Sequence, residues 1–330
     1  MPKPSKRPTE PVPASDAVMA VWPDVSGNAI NGLGETERHP PRPVFWRTDG
    51  STPHAPAMYY FFERGEEDSD ISKSREYRKR MDAIPVNEIA ATAEEAAPET
   101  WAEAVKQAAR EIGADDVGIC EWNPDWAFPD RPAPKGKYAI VMAFAQSYPD
   151  LDSAPSTPAF LEIMRQYERA GSTAKRLANW IRDRGHHADG KTGPMTDDVL
   201  MIPPAIQAGL GELGKHGSMI HRSFGANFRL SMVLTDLPLA PDAPDVFGAD
   251  LFCQSCQICA NACPPDAIFR EKQTVRGENK WYVDFDKCVP YFVDNKSCGI
   301  CLAVCPWSRP GIGENLLGKM AKKLAAAAAE

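Results

Sequence analysis

Eight of the nine cysteines in this 330-residue chain lie between Cys253 and Cys305. Cys253, Cys256, Cys259 and Cys263 are separated by two, two and three residues, and Pro264 follows. This is the ferredoxin spacing for [4Fe–4S] ligation. Three close thiolates wrap one face of a cubane, and the fourth, before proline, reaches the other cluster. Cys288, Cys298, Cys301 and Cys305 repeat the ending of that run, with Pro306 next, but their first gap is nine residues. By the same rule Cys253, Cys256, Cys259 and Cys305 hold one cluster, and Cys288, Cys298, Cys301 and Cys263 hold the other. Zinc motifs usually pair cysteines two by two at a distance, a different spacing. Cys120 stands alone in an apolar stretch and reads as a small buried hydrophobe.

Two clusters move electrons, and the chain before them is far larger than an electron carrier needs, so a second cofactor or a substrate is expected within that body. "ETWAEAVKQAAREIG" places Trp101, Ala104, Val105, Ala108 and Ile112 at helical spacing, with Gly113 as a stop. "DDVGIC", "KYAIVMAF" and "FRLSMVLTDLPL" read as strands. "TPAFLEIMRQYERAGSTAKRLANWIRDRG" reads as one long helix or two, capped by Thr157, with Pro158 in its first turn, a kink at Gly171 and an end at Gly185. Alternating helices and strands with an appended cluster unit point to an α+β fold: an α/β core carrying a ferredoxin-like module. The expected organisation is a Pro-rich arm and charged segment over 1–98, a catalytic core over 99–250, the module over 251–312 and a tail over 313–330. The charge run "ERGEEDSDISKSREYRKR" reads as a solvated helix face or loop.

Hydrophobic residues make up 43% of the chain and charged residues 25%, enough for a packed core. A net charge of −8 argues against broad phosphate binding, so a nucleic-acid partner is not expected. No apolar run has the length of a membrane span, and the positive N-terminus is followed by no apolar core or twin arginine. These features predict a cytoplasmic protein with no membrane partner. Structural disulfides are rare in that compartment, which again favours cofactor ligation for the cysteines.

"IPPAIQAGLGELGKHGSMIHRSFGANFRLSMVLTDLPL", followed by "FCQSCQICANACPPDAI" and "SCGICLAVCPWSRPG", resembles the cobamide-dependent reductive dehalogenases. "LANWIRDRGHHA" resembles the helix end before this segment, so the likeness covers about residues 157–312. Epoxyqueuosine reductases of tRNA modification share the glycine-rich turn and both clusters. The resemblance implies a nitroreductase-like core holding a base-off cobamide (cobalamin or a related corrinoid), with no protein histidine on cobalt. His186 and His187, near a helix end, therefore read as surface or capping residues. It also implies a small halogenated organic substrate and a tyrosine proton donor beside a cation. A phenol is a poor acid unless a positive charge stabilises its anion.

By motif position the resemblance makes Tyr167 the donor and Arg229 the cation. "TDDVLMIP" puts Asp197 or Asp198 where a neutral group is usual, a feature closer to the epoxyqueuosine reductases. Gly209, Gly211, Lys215, His216, Gly217 and Ser218 are the expected cobamide-contacting loop, because glycines permit close backbone approach. The phosphate-loop pattern fits poorly, since His216 replaces its Ser/Thr. No flavin or ferredoxin-reductase extension is visible, so a separate low-potential donor such as ferredoxin or flavodoxin is expected.

Overall fold

The computed structural model describes residues 10–47, 49–192 and 198–327. The core is a four-stranded sheet made of β1 (Asp116–Glu121), β2 (Tyr138–Ala145), β3 (Ala188–Thr192) and a later strand. That strand, β6 (Phe228–Thr235), follows a short hairpin of β4 (Glu212–Leu213) and β5 (Met219–Ile220). The order is β1-β2-β6-β3, and every pairing is antiparallel. β2 and β3 are therefore parallel to each other across β6, and parallel strands need a long crossover. A helix provides it. The antiparallel sheet makes the fold α+β, and its two central strands are buried along most of their length because both faces are covered.

Along the N-terminal segment run α1 (Asp16–Met19), α2 (Gly27–Asn31), α3 (Ala55–Glu66), α4 (Ser69–Ser74) and α5 (Tyr77–Asp82). The charge run is therefore helical and only partly solvated: Ile71, Tyr77 and Met81 are buried. Their spacing was hidden by the charged residues between them. α6 (Pro98–Ile112) begins on a proline and stops at Gly113, which has φ 139°. A short α7 (Tyr148–Leu151) precedes α8 (Thr157–Arg182), the crossover.

The cap of α8 is Ser156, whose hydroxyl accepts from Ala159 N, and not Thr157, whose hydroxyl donates to Asp68. α8 runs unbroken through Gly171. A Cβ there would stand 2.1 Å from Met81 Sδ and 3.3 Å from Thr192 Cβ, so this glycine admits α5 and β3. Side chains alternate across a strand. Ile140, Met142, Phe144 and Val233 face α6 and α8. Val141, Ala143, Phe228, Met232 and Leu234 face the other layer, which includes α9 (Ile202–Gln207).

The cysteine module comprises α10 (Ala249–Ser255), α11 (Ile258–Ala262), a hairpin of β7 (Gln273–Val275) and β8 (Glu278–Lys280), α12 (Phe285–Asp294) and α13 (Ile300–Ala303), followed by α14 (Gly313–Ala327). Leu316 and Met320 of α14 pack with Phe247, Cys253, Cys305 and Trp307. Burying each large apolar side chain stabilises by about 1.5–3 kcal/mol, so the segment expected as a tail helps hold the module. The arm lies on α12: Ser15 bonds Asp294, and Asp286 accepts from Ser26 Oγ and Gly27 N.

Candidate active site and cluster-binding thiols

Cys253 lies near the end of α10 and Cys256 caps it, Cys259 lies in α11 and Cys263 caps it, and the second four are placed by α12 and α13. None of the nine cysteines forms a disulfide. Burial pushes Cys253 up to about 11, and Cys259 and Cys288 up to about 12; Cys263, Cys298, Cys301 and Cys305 are raised as well.

After burial and a backbone hydrogen bond, Cys305 responds to Cys253, Cys259 and Cys256. Cys288 responds to Cys263 and Cys298, and Cys301 to Cys298 and Cys288 first. Cys305 thus lies near Cys253, Cys256 and Cys259, and Cys263 lies near Cys288. Among the described residues no three His, Cys, Asp or Glu side chains are grouped to hold a single ion. Buried neutral thiols lose protons only to a strongly positive centre, which an iron–sulfur core provides.

Backbone N–H groups aim at these sulfurs: Lys215 at Cys253, Ala260 at Cys259, Ala267 at Cys263 (3.3 Å), Gly299 and Ile300 at Cys298, and Trp307 at Cys305. Lys296, Ser297 and Cys298 all take positive φ, and Gly299 continues the turn. Consecutive amides in such a turn form a concavity that favours negative charge. The residues therefore fit anionic clusters.

The β4–β5 hairpin abuts the first set. Glu212 Oε2 accepts from the backbone N–H of Phe247, Gly248 and Ala249, capping α10 from outside the helix. Lys215 is fully buried, with its Nζ 4.8 Å over the Trp281 ring and depressed in pKa by burial. His216 is buried, and burial pushes its imidazole down to about 4. Ser218 N donates to His216 Nδ1. The glycines of the expected cobamide loop approach the chain itself: a Cβ on Gly209 would lie 2.6 Å from Ala243 O, on Gly211 2.1 Å from Ile220 O, and on Gly217 2.9 Å from Val283 Cγ2. Their freedom is used in packing the hairpin.

Tyr167 and Arg229 come together. α8 presents the ring to the sheet, β6 presents the guanidinium to α8, and Arg229 Cζ lies 5.4 Å from the Tyr167 ring centroid. Among the described residues Arg229 has no ion-pair partner, and its buried Nε has no hydrogen-bond acceptor. Ser231, two residues on and on the same face, is fully buried with an unpartnered hydroxyl. Gln146, just past β2, has both side-chain amide atoms unpartnered, and so does Asn227 Oδ1.

Asn227 Nδ2 also donates to Ser308 O, and Ala226 N donates to Ser308 Oγ, three residues past Cys305. Unsatisfied donors and acceptors thus line one face between Tyr167 and the first thiol set. Buried polar groups need partners, and a corrin ring bearing amide side chains supplies both kinds. Gln146, Asn227 and Ser231 were not singled out from sequence. The period-two alternation with Arg229 marks the last two, whereas Gln146 has no such signal.

Asp198 lies on the opposite face. Lys191 Nζ is 2.5 Å from Asp198 Oδ2 and 2.6 Å from Asp189 Oδ2. Burial opposes the Lys191 charge, but the two carboxylates outweigh it and hold its pKa above the ordinary range. Asp197 lies outside the described residues. His186 Nε2 contacts Glu94 O at 2.9 Å, and His187 lies beside it. Cys120 is buried with its thiol pushed up to about 12. A separate cleft of about 350 Å³, lined by Arg64, Asp68, Arg75, Phe160 and Lys296 among others, contains neither Tyr167 nor Arg229.

A 4Fe-4S dicluster domain matches residues 252–308. Tetrachloroethene reductive dehalogenase of Desulfitobacterium hafniense is 34% identical over 211 residues, covering 60% of this chain and 37% of that protein. The enzyme of the same name from Sulfurospirillum multivorans is 30% identical over 254 residues, covering 63% of this chain and 50% of the other. The chain is related to the reductive dehalogenases. A solved catabolic reductive dehalogenase, NpRdhA, in complex with 3-bromo-4-hydroxybenzoic acid, superimposes with a TM-score of 0.73 at 25% identity, over 92% of this chain and 46% of that one. Epoxyqueuosine reductase of Leadbetterella byssophila is more distant, at 26% identity over 52% of this chain and 59% of that protein. This chain spans half or less of the length of the dehalogenases it resembles. Among the described residues no helix is long and apolar enough to cross a membrane.

Proposed function

We propose that this protein is a reductive dehalogenase-like oxidoreductase that replaces carbon–halogen with carbon–hydrogen. The overall change is R–X + 2e⁻ + H⁺ → R–H + X⁻. The reading rests chiefly on the pairing of Tyr167 with Arg229 on a face of unsatisfied polar groups that ends at Cys305 and Ser308. A bound cobamide would supply low-potential reduction at the carbon–halogen bond. Gln146, Asn227 and Ser231 would meet its amide-rich rim or the substrate. The two thiol sets hold [4Fe–4S] clusters, with the set containing Cys305 on the inner side, and a separate low-potential carrier such as ferredoxin or flavodoxin provides the electrons.

The chain's own part in the chemistry is proton delivery. The Tyr167 hydroxyl gives its proton to the carbon that loses halide, and the phenolate left behind is steadied by Arg229. Proton return from solvent resets the pair. Because Arg229 has no competing carboxylate among the described residues, its charge is available when the negative charge develops.

The test is methyl-viologen-driven halide release from a panel of halogenated phenols and alkanes, with and without added cobamide. Cobamide-dependent halide release supports the reading; no release from any substrate by protein loaded with clusters and corrinoid contradicts it. The epoxyqueuosine reductase-like reading stands second. It needs an acidic donor, and Asp198 is engaged by Lys191 on the far face of the sheet. Reduction of epoxyqueuosine in tRNA by Tyr167→Phe protein, lost in Asp197→Asn, would favour it.

A further inference from the structure

We propose that Lys215 is the electrostatic tuning residue of the cluster on Cys253, Cys256, Cys259 and Cys305, its buried positive charge raising that cluster's reduction potential. This rests on the two-cluster reading above.

A lysine is almost never fully buried unless paired. Lys215 has no accessible surface, and its Nζ has no hydrogen-bond partner among the described residues. Its ammonium lies 4.8 Å over the Trp281 ring. The negative partners it senses are Cys259, Cys253 and Cys256, and its own backbone N–H donates to Cys253. The carboxylate bonded to the Trp281 indole, Asp250, is held by Lys272. The hairpin cannot swing away easily, because Glu212, three residues earlier, is bound to the first amides of α10.

Adding one electron to a four-thiolate [4Fe–4S] core makes it more negative by one charge, with no bond made or broken. A fixed cation within the same dry enclosure stabilises the reduced form more than the oxidised form. The thiols that act most strongly on Lys215, Cys259, Cys253 and Cys256, all belong to the first set, so the effect falls mainly on that cluster. A higher potential on the inner cluster draws electrons from the outer one toward the Tyr167 face.

The experiment is an EPR-monitored redox titration of anaerobically reconstituted full-length protein, wild type against Lys215→Met, with iron content measured in parallel. With iron unchanged, one of the two midpoint potentials should fall by at least the equivalent of a tenfold change in the reduction equilibrium, about 59 mV for one electron. The other should move by less than a third of that. If neither potential moves, or both move together, the proposal is wrong. Should Lys215→Met fail to fold or lose iron, Lys215→Gln is titrated against Lys215→Arg: only the glutamine variant should show the fall, and equal potentials would overturn the proposal. Wild-type protein that holds no clusters overturns the underlying reading, and this proposal with it; intact clusters with unshifted potentials overturn this proposal alone.

Discussion

Tyr167→Phe removes one oxygen, and the structure says what that oxygen does not do. The ring is half-buried, and no hydrogen bond to the hydroxyl is made among the described residues. A buried, bonded hydroxyl would cost about 1–3 kcal/mol of stability when deleted. Here the expected loss is below about 0.5 kcal/mol, within the range of ordinary surface substitutions. Turnover should respond very differently. A positioned general acid contributes about 10²- to 10⁴-fold in rate, so Tyr167→Phe should lose that much while retaining iron and corrinoid.

For Arg229, whose Cζ lies 5.4 Å from the Tyr167 ring centroid, the guanidinium and a phenolate charge spread over that ring attract by about 3 kcal/mol at an effective dielectric constant of about 20. Arg229→Gln should therefore slow turnover by about 100-fold. If the two act as one device, the double variant should be little slower than Tyr167→Phe alone. The assay is anaerobic halide release at saturating substrate, with a thermal melt on the same samples. Near-normal turnover in Tyr167→Phe refutes proton donation, and an additive double variant refutes the coupling.

Cys305→Ala should strip the cluster shared with Cys253, Cys256 and Cys259 and leave the other, halving iron from about eight to about four per chain; loss of both clusters or of neither contradicts the crossed assignment. Gly225→Ala should destabilise by at least about 2 kcal/mol in a thermal melt, because its φ is 60° and a Cβ there would stand 2.2 Å from Trp307 O; an unchanged melt means that the start of β6 and the segment after Cys305 are not locked together. His216 should make the fold acid-sensitive. Its pKa is depressed from 6.5 to about 4, so the unfolded chain takes up the proton first, and the stabilisation present at pH 7 is lost as pH falls from about 6.5 to 4. The full loss is about 3 kcal/mol, and His216→Asn should show a smaller drop in Tm between pH 7 and 5 than wild type.

The sequence exposed this protein unevenly. The cysteine runs are legible because a cubane fixes the spacing of its ligands, and in the fold Cys305 lies near the first run and Cys263 near Cys288. α6, α8 and the three apolar strands were legible from periodicity. The sheet's antiparallel order was not, because the alternation of helix and strand suits both an α/β and an α+β reading. The cap of α8 falls one residue before the expected Thr157 because Ser156 and Thr157 are both good caps, and only contact with Asp68 distinguishes them.

The burial of Ile71, Tyr77 and Met81 was masked by neighbouring charges, and that of Leu316 and Met320 by their place in an alanine- and lysine-rich end. Glycines in the loop around Lys215 suggest close approach of a ligand, whereas in the fold their missing side chains admit Ala243, Ile220 and Val283. Such close approaches depend on residues far away in the chain and leave no local signal.

Two four-thiol sets serving a cobamide site within one chain require two metals in a fixed ratio. Elemental analysis of anaerobically reconstituted, cobalamin-loaded and gel-filtered protein measures both parts together. About eight irons and about one cobalt per chain are expected, with negligible zinc. Stoichiometric zinc in place of iron would contradict the cluster assignment. Full iron with no cobalt retained would contradict the cobamide site and leave an electron carrier.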